Sequence, residues 1–196
     1  MNIQAAETFI LEKLKNELPT NLYYHSFNHV IDVLNAAIQY AEMEKISEND
    51  TLLIKTAVLF HDSGFTIQSE NHEELGCDIA KKFLPQFDYK ESDIHIICGM
   101  IMATKIPQKP NNILEKIICD ADLDYLGRDD FWEISHNLYK EVEVFGILTN
   151  EVDWNRLQLK FLSTHQYFTQ SAKALRKNKK EAHTKKIRDI VEMYAS

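Results

Sequence analysis

The chain has 196 residues and a formal net charge of -8 at pH 7, and its length is typical of a single domain. The acidic balance argues against broad binding to nucleic acid or to anionic membranes, but it does not exclude a small anionic substrate. The cysteines Cys77, Cys98 and Cys119 are widely spaced, which indicates reduced thiols of a cytoplasmic protein rather than a disulfide framework. Charged residues interrupt the N-terminal segment, so we expect neither a signal peptide nor a membrane span.

Apolar residues recur at helical spacing along the chain, and no alternating strand pattern occurs. Serine, asparagine or aspartate precedes most of the predicted helices, and proline or glycine follows several of them. The predicted helices span about residues 3–18, 26–44, 48–62, 71–84, 92–104, 113–126, 130–145, 150–170 and 172–194. The sequence therefore predicts one all-α domain over residues 1–196, a bundle of about eight or nine helices.

The helix that precedes Gly64 ends in an unusual pair, His61 and Asp62. The residues before this pair are mostly apolar, which predicts a buried helix. Buried helices rarely end in two ionisable side chains, because an unpaired buried charge is costly. A bound cation satisfies both side chains. Adjacent helical residues point about 100° apart, so this pair straddles a metal without completing its coordination shell.

His25 and His29 lie one turn apart if a single helix includes both. This spacing suits a metal, but it is not the zinc-protease motif, because Ser26 stands where a glutamate should follow the first histidine. Taken alone, the pattern favours a loop or cap role for His25 and core packing for His29.

Three aspartates, Asp120, Asp122 and Asp124, alternate at the end of a predicted helix, where their charges oppose the helix dipole. A solvated acidic helix end accounts for Asp120 and Asp124, which share a face. It leaves Asp122 among the inward positions, and a cation explains that placement.

The order of His29, then His61 and Asp62, then Asp122 resembles the HD-domain superfamily of metal-dependent phosphohydrolases. The resemblance spans roughly residues 22–128 and rests on three segments, Tyr24–His29, Leu59–Asp62 and Asp120–Asp124. It implies a helical fold of the HD-domain type, with the helices of residues 129–196 packing on it. It also implies one divalent ion (Mn, Fe, Co, Ni, Zn or Mg) held by His29, His61, Asp62 and Asp122.

The chemistry implied by the resemblance is hydrolysis of a small phosphorylated substrate, with a nucleotide as the first expectation. Asp62 would also orient the attacking water, and His25 would protonate the leaving oxygen or bind phosphate. A surface role for His25 stays open. Further candidate substrate contacts are Tyr24, His72, Lys105 and Arg128. His72 is alternatively a second-metal ligand or a plain first-turn residue, and Lys105 and Arg128 are alternatively exposed charges.

Some members of the superfamily hold two metals, using a further histidine near the end of the helix predicted over 92–104. Ala103, Thr104 and Lys105 occupy that place here, so we expect one metal. Two alternatives remain, a non-haem iron oxygenase on the same fold and a catalytically weak nucleotide-sensing domain. We expect no nucleic-acid or membrane partner, and we interpret the basic run Arg176–Lys186 as a solvated helix face. The sequence determines neither the substrate nor the oligomeric state.

Overall fold

The computed structural model of the chain describes residues 1–148 and 150–194. Within these ranges the chain forms nine α-helices and no strand, which confirms the predicted all-α fold class. In chain order the helices are α1 (Ile3–Glu17), α2 (Phe27–Met43), α3 (Glu48–His61), α4 (His72–Phe83), α5 (Glu91–Ala103), α6 (Ile113–Asp122), α7 (Phe131–Val144), α8 (Glu151–Thr164) and α9 (Gln170–Met193). Short 3-10 turns occupy Ser63–Thr66, Leu84–Phe87 and Asp124–Gly127.

Several helices begin at the polar residues that the sequence marks. The side-chain oxygens of Ser47, Asn112 and Asn150 accept hydrogen bonds of 2.9–3.1 Å from backbone N–H groups in the first turns of α3, α6 and α8. Each bond satisfies an N–H that has no partner within its helix. Asn71 also precedes a helix, but its φ is +55° and its side chain makes no capping bond.

Two predicted helices end earlier than their apolar patterns indicate. The helix predicted over 113–126 stops at Asp122, and the 3-10 turn that follows packs against α9. A Cβ on Gly127 would lie 2.4 Å from the carbonyl oxygen of Arg176, so only glycine permits this approach. The helix predicted over 150–170 stops at Thr164, and the Asp120 carboxylate binds the backbone N–H groups of residues 168 and 169, just before α9 begins.

The helix α3 lies at the centre of the molecule and packs against α1, α2, α4, α5 and α6. Its residues Leu53, Ile54, Ala57, Val58 and Phe60 are all buried, as expected for a helix that is apolar on most of its faces. The C-terminal helices are arranged differently, since α8 lies along α9 and α7 packs against the 3-10 turn Asp124–Gly127. Central placement of α3 carries its final residue, His61, into the interior.

The basic run in α9 departs from the prediction most clearly at Lys180. Lys177, Lys185 and Lys186 are exposed as expected, but Lys180 is buried. Its Nζ donates to the carbonyl oxygens of Leu162, at 3.3 Å, and of His165. Burial lowers the pKa of Lys180. The predicted solvated face is therefore wrong for Lys180, which ties the end of α8 to α9.

In the described part of the chain, no helix combines the length and the apolar character that crossing a membrane requires.

Candidate metal centre

Three helix ends bring the predicted metal ligands together. His29 lies in the first turn of α2, His61 ends α3 with Asp62 directly after it, and Asp122 ends α6. The His29 Nε2 atom lies 3.1 Å from Asp122 Oδ1 and 3.5 Å from Asp62 Oδ2. The His61 Nε2 atom lies 3.2 Å from Asp62 Oδ2 and 3.5 Å from Asp122 Oδ1. Two imidazole nitrogens and two carboxylate oxygens therefore converge on one point.

The orientation of His61 directs one ring nitrogen at this cluster. The Nδ1–H group of His61 donates to the Val58 carbonyl oxygen at 2.7 Å, so Nε2 is the ring nitrogen that faces the carboxylates and that a metal would bind. Both His61 Nε2 and Asp62 Oδ2 are buried and form no hydrogen bond. Because buried polar atoms are nearly always satisfied in native proteins, these two atoms call for a partner. A cation bound between them supplies one.

The spacing and charge of the cluster fit a divalent transition metal. Ligand bonds of about 2.1 Å place neighbouring ligand atoms about 3 Å apart, close to the separations seen here. The donors of His29, His61 and Asp122 all lie within 4.8 Å of one another. Burial raises the pKa of Asp122, but the imidazoles of His29 and His61 lower it by more, to about 2. The carboxylates therefore stay ionised, and a mixed nitrogen and oxygen site of this kind suits Mn²⁺, Fe²⁺, Co²⁺, Ni²⁺ or Zn²⁺.

His25 lies beside the cluster and is held by a buried glutamate that sequence reasoning missed. Its Nδ1 atom forms a short hydrogen bond with Glu141 Oε1, while Glu141 Oε2 accepts the backbone N–H groups of Tyr24, at 2.8 Å, and His25, at 3.1 Å. Burial lowers the pKa of His25, but the Glu141 hydrogen bond and the charge of Asp62 raise it above the usual value. Glu141 therefore favours the imidazolium form of His25 and anchors the Nδ1 side of its ring on α7.

His72 reaches the same region from the start of α4. Its ring stacks on Phe65 at 4.2 Å, and Phe65 stacks on His25 at 4.3 Å. The His72 Nε2 atom lies 3.7 Å from Asp62 Oδ1. A Cβ on Gly64 would lie 2.0 Å from the His72 carbonyl oxygen, so the glycine after the His-Asp pair is what lets α4 begin here.

A cavity of about 300 Å³ opens next to the cluster. Tyr24, His25, Asp62, His72 and Asp122 line its inner end. Its outer part is bounded by apolar side chains of α7 and α8, which we call the apolar wall. The apolar wall comprises Phe131, Leu138, Val142, Trp154, Phe161 and Leu162. The lining residues Ile106 and Leu157 are exposed, so the cavity reaches solvent between them.

The other predicted substrate contacts lie in two different places. Tyr24 and His72 line the cavity. Lys105 lies outside it and forms an ion pair with Glu74. Arg128 borders a separate cavity of about 280 Å³, which Tyr24 and His29 also line. The structure thus brings two of the four candidates into the cavity beside the metal cluster and leaves two outside it.

The alternative interpretation of Arg128 as a solvent-exposed charge is wrong as well. Its NH1 group donates to both carboxylate oxygens of Asp32 at 2.8 Å, and its Nε and NH2 groups donate to Asp130 at 2.9 and 2.6 Å. Carboxylates therefore already occupy most of its guanidinium donors.

The three alternating aspartates have three separate partners. Asp120 and Asp124 are buried, so the solvated acidic end considered for them is wrong. Asp120 accepts the backbone N–H of Thr169, the residue that precedes α9, while Asp124 binds the Tyr40 hydroxyl and the Nε–H of Arg176. The 3-10 turn after Asp122 breaks the helical period, and for this reason Asp120 and Asp124 do not share a surface.

Comparisons with known proteins agree with this architecture. The family model of the HD domain matches residues 26–124, just over half of the chain. A predicted HD superfamily hydrolase from an uncultured Thermotogales bacterium has a similar crystal structure, with a TM-score of 0.63. That match covers 95% of this chain and 92% of the other at 18% identity, and it supports the fold. Among curated proteins none matches the chain. The extent of the family match, together with the clustered His29, His61, Asp62 and Asp122, establishes that the chain belongs to the HD domain family.

Proposed function

We propose that the protein is a metal-dependent hydrolase that cleaves a small phosphate ester. The observation that carries the proposal is the pair of buried atoms without hydrogen bonds, His61 Nε2 and Asp62 Oδ2, in a cluster with His29 and Asp122. A structural cluster would satisfy these atoms internally, whereas a metal site leaves them for the ion.

A divalent metal at this cluster supplies a Lewis acid that lowers the pKa of a bound water and neutralises charge on a phosphate oxygen. The chain supplies the remaining functions. His29, His61, Asp62 and Asp122 hold the ion, and Asp62 also orients the attacking water. His25, kept protonated by Glu141, donates its Nε2 proton to the leaving oxygen as the ester bond breaks.

The two early histidines differ in what surrounds them, which supports separate roles. His29 Nε2 faces Asp62 and Asp122 within the cluster. The Nδ1 atom of His25 faces Glu141, and its ring stacks on Phe65 at the cavity. A ligand needs a nitrogen directed at the ion, and a general acid needs one directed at the substrate.

The proposal is tested by assaying metal-loaded protein against a panel of phosphate esters that includes nucleotides. We expect release of inorganic phosphate that stops when a chelator removes the metal and returns when the metal is restored. Oxygen consumption coupled to substrate cleavage, without phosphate release, would move the protein to the oxygenase alternative. Metal binding with nucleotide affinity but no turnover would move it to the sensing alternative.

A further inference from the structure

We infer that the cavity beside the metal centre binds an apolar organic group, so that the substrate is an aryl or alkyl monophosphate rather than a sugar phosphate or a nucleotide. This inference rests on the proposed function, because it concerns the group attached to the phosphate that the metal centre would hold. It uses residues of α7 and α8, which lie outside the part of the chain that matches the family model.

The apolar wall determines what kind of group the outer cavity accepts. Three of its members come from α7 (Phe131, Leu138 and Val142) and three from α8 (Trp154, Phe161 and Leu162). The hydroxyls of a sugar would lose their bonds to water against these side chains without gaining replacements. An aromatic or aliphatic group gains from the same contact, because its burial removes apolar surface from water.

The charges around the cavity limit the number of phosphates. Among the described residues that line it, none is a lysine or an arginine. The side chains at its inner end that can donate to a phosphoryl oxygen are His25 and His72, beside the metal that the cluster would hold. Lys105 and Arg128 lie outside and are paired with carboxylates. A single phosphoryl group therefore has its partners here, while a second or third would lie against apolar side chains.

Two polar side chains, Ser135 and Gln158, interrupt the apolar lining that α7 and α8 provide. Gln158 lines the cavity and is about nine-tenths buried, and its Oε1 atom has no hydrogen-bond partner. The nearby hydroxyl of Thr104 is already used, because it donates to the Ile101 carbonyl oxygen at 2.8 Å. The Oε1 acceptor of Gln158 is costly to bury unless a ligand donates to it. The organic group therefore carries one hydrogen-bonding substituent, such as a phenol hydroxyl or a ring N–H.

The first experiment measures binding without turnover. Two non-hydrolysable probes, naphthylmethylphosphonate and methylphosphonate, are titrated calorimetrically into the metal-loaded protein. We expect the naphthyl compound to bind at least roughly tenfold more tightly, the size of effect that a hydrophobic pocket gives for an added apolar group. Equal dissociation constants for the two phosphonates would overturn the inference.

A pair of valines on α7 provides a matched test of where the naphthyl group binds. Val142 lines the cavity, whereas Val144 is 51% exposed and does not. Val142→Phe fills the cavity and should abolish the advantage of the naphthyl phosphonate, while Val144→Phe should keep it. Retention of the full advantage in Val142→Phe would contradict the assignment. If Val142→Phe does not fold, the comparison of the two probes on the unaltered protein decides.

The second experiment separates this inference from the proposed hydrolase function. The values of kcat/KM for naphthyl phosphate, glycerol phosphate and AMP are compared on the metal-loaded protein, with naphthyl phosphate expected to be highest by roughly tenfold or more. Hydrolysis of glycerol phosphate or AMP with an equal or higher kcat/KM would refute the apolar site and leave the hydrolase standing. Tight naphthyl phosphonate binding with no ester hydrolysis would do the reverse.

Discussion

The two ends of the site are built differently. The metal end is formed by His29, His61, Asp62 and Asp122 on α2, α3 and α6. The cavity end is formed by the apolar wall of α7 and α8. At the metal end, ionisable side chains occupy buried positions, and two of their atoms have no hydrogen-bond partner. At the cavity end, ordinary amphipathic helices turn their apolar faces toward an open space instead of toward a packed neighbour.

The two ends are suited to different parts of a ligand. Buried charge is costly unless it is paired, so the metal end is suited to an ion, which would offset that cost. Apolar side chains around a cavity lose packing contacts, and a bound organic group restores them. Glu141 links the two ends, because it belongs to α7 yet binds His25 next to the metal ligands.

Removing a metal ligand should have the largest effect. We expect His61→Ala and Asp122→Ala to lose both the bound metal and all measurable turnover, because the remaining ligands become an uncompensated buried cluster. The fold should be destabilised by about 3–5 kcal/mol, the usual consequence of removing one partner of a buried charge pair. Elemental analysis and urea denaturation measure the two effects.

The matched control is His95→Ala, since His95 is an exposed histidine of α5 away from the cluster. It should retain metal, stability and activity. Full metal content in both ligand variants would remove the basis of the assignment.

The contrast between the two ends also explains what the sequence revealed in advance. His61 and Asp62 were conspicuous because they break an apolar helical pattern, and Asp122 stood at an inward position of a helix. The signal lay in residues whose chemistry contradicts their surroundings. The helices themselves followed from apolar spacing and cap residues.

The cavity end gave no such signal, because its apolar residues have the same spacing as any core-facing helix. The role of Glu141 depends on contact with His25, a residue 116 positions away. The local sequence signal for Glu141 is limited to its position on the inner face of α7, three residues after Leu138. The roles of Asp120 and Asp124 were misjudged because they depend on the 3-10 turn after Asp122, which the helical pattern did not predict.

The next largest effect should separate His25 from His29. We expect His29→Ala to lose metal and activity together, because it removes a nitrogen of the cluster. His25→Ala should keep the metal while kcat falls by roughly a hundredfold or more, the size expected for loss of a general acid. Metal content and steady-state kinetics of each variant test this division. Equal metal loss in both would place His25 among the ligands, and a change confined to KM would make it a phosphate contact.

A smaller effect, on stability alone, is expected at Asp120. This carboxylate accepts the backbone N–H groups of Phe168 and Thr169 and the Thr169 hydroxyl at 2.7–2.8 Å. Asp120→Ala should cost about 2–3 kcal/mol, because it leaves those buried donors without an acceptor. Metal content and kcat should not change. Asp78→Ala, at an exposed aspartate of α4, is the control. Metal loss in Asp120→Ala would show that the two neighbouring aspartates do not act separately.

The smallest effect should come from Glu141→Gln, which tests the link between the two ends. The glutamine keeps the shape of the side chain but removes the charge that favours the imidazolium of His25. Because His25 would act in its protonated form, activity falls as pH rises through the raised pKa of His25. In Glu141→Gln that pKa is lower, so the alkaline limb of kcat/KM should move to lower pH, with a loss of about tenfold at neutral pH.

The free energy of unfolding should also depend on pH, through the titrations of Glu141 and His25. Burial raises the pKa of Glu141, but the hydrogen bond to His25 lowers it by more, so the pKa lies below the usual glutamate value. The contribution of Glu141 is therefore lost as pH falls through its lowered pKa. The contribution of His25, whose pKa is raised, is complete below the ordinary histidine value and is lost as pH rises through the raised one. The difference in unfolding free energy between the parent and Glu141→Gln should thus be greatest between about pH 4.5 and 6.5, the ordinary pKa values of the two groups. If Glu141→Gln leaves the alkaline limb of kcat/KM unmoved and lowers the unfolding free energy equally at every pH, then Glu141 is a packing residue. The metal end would then work without α7.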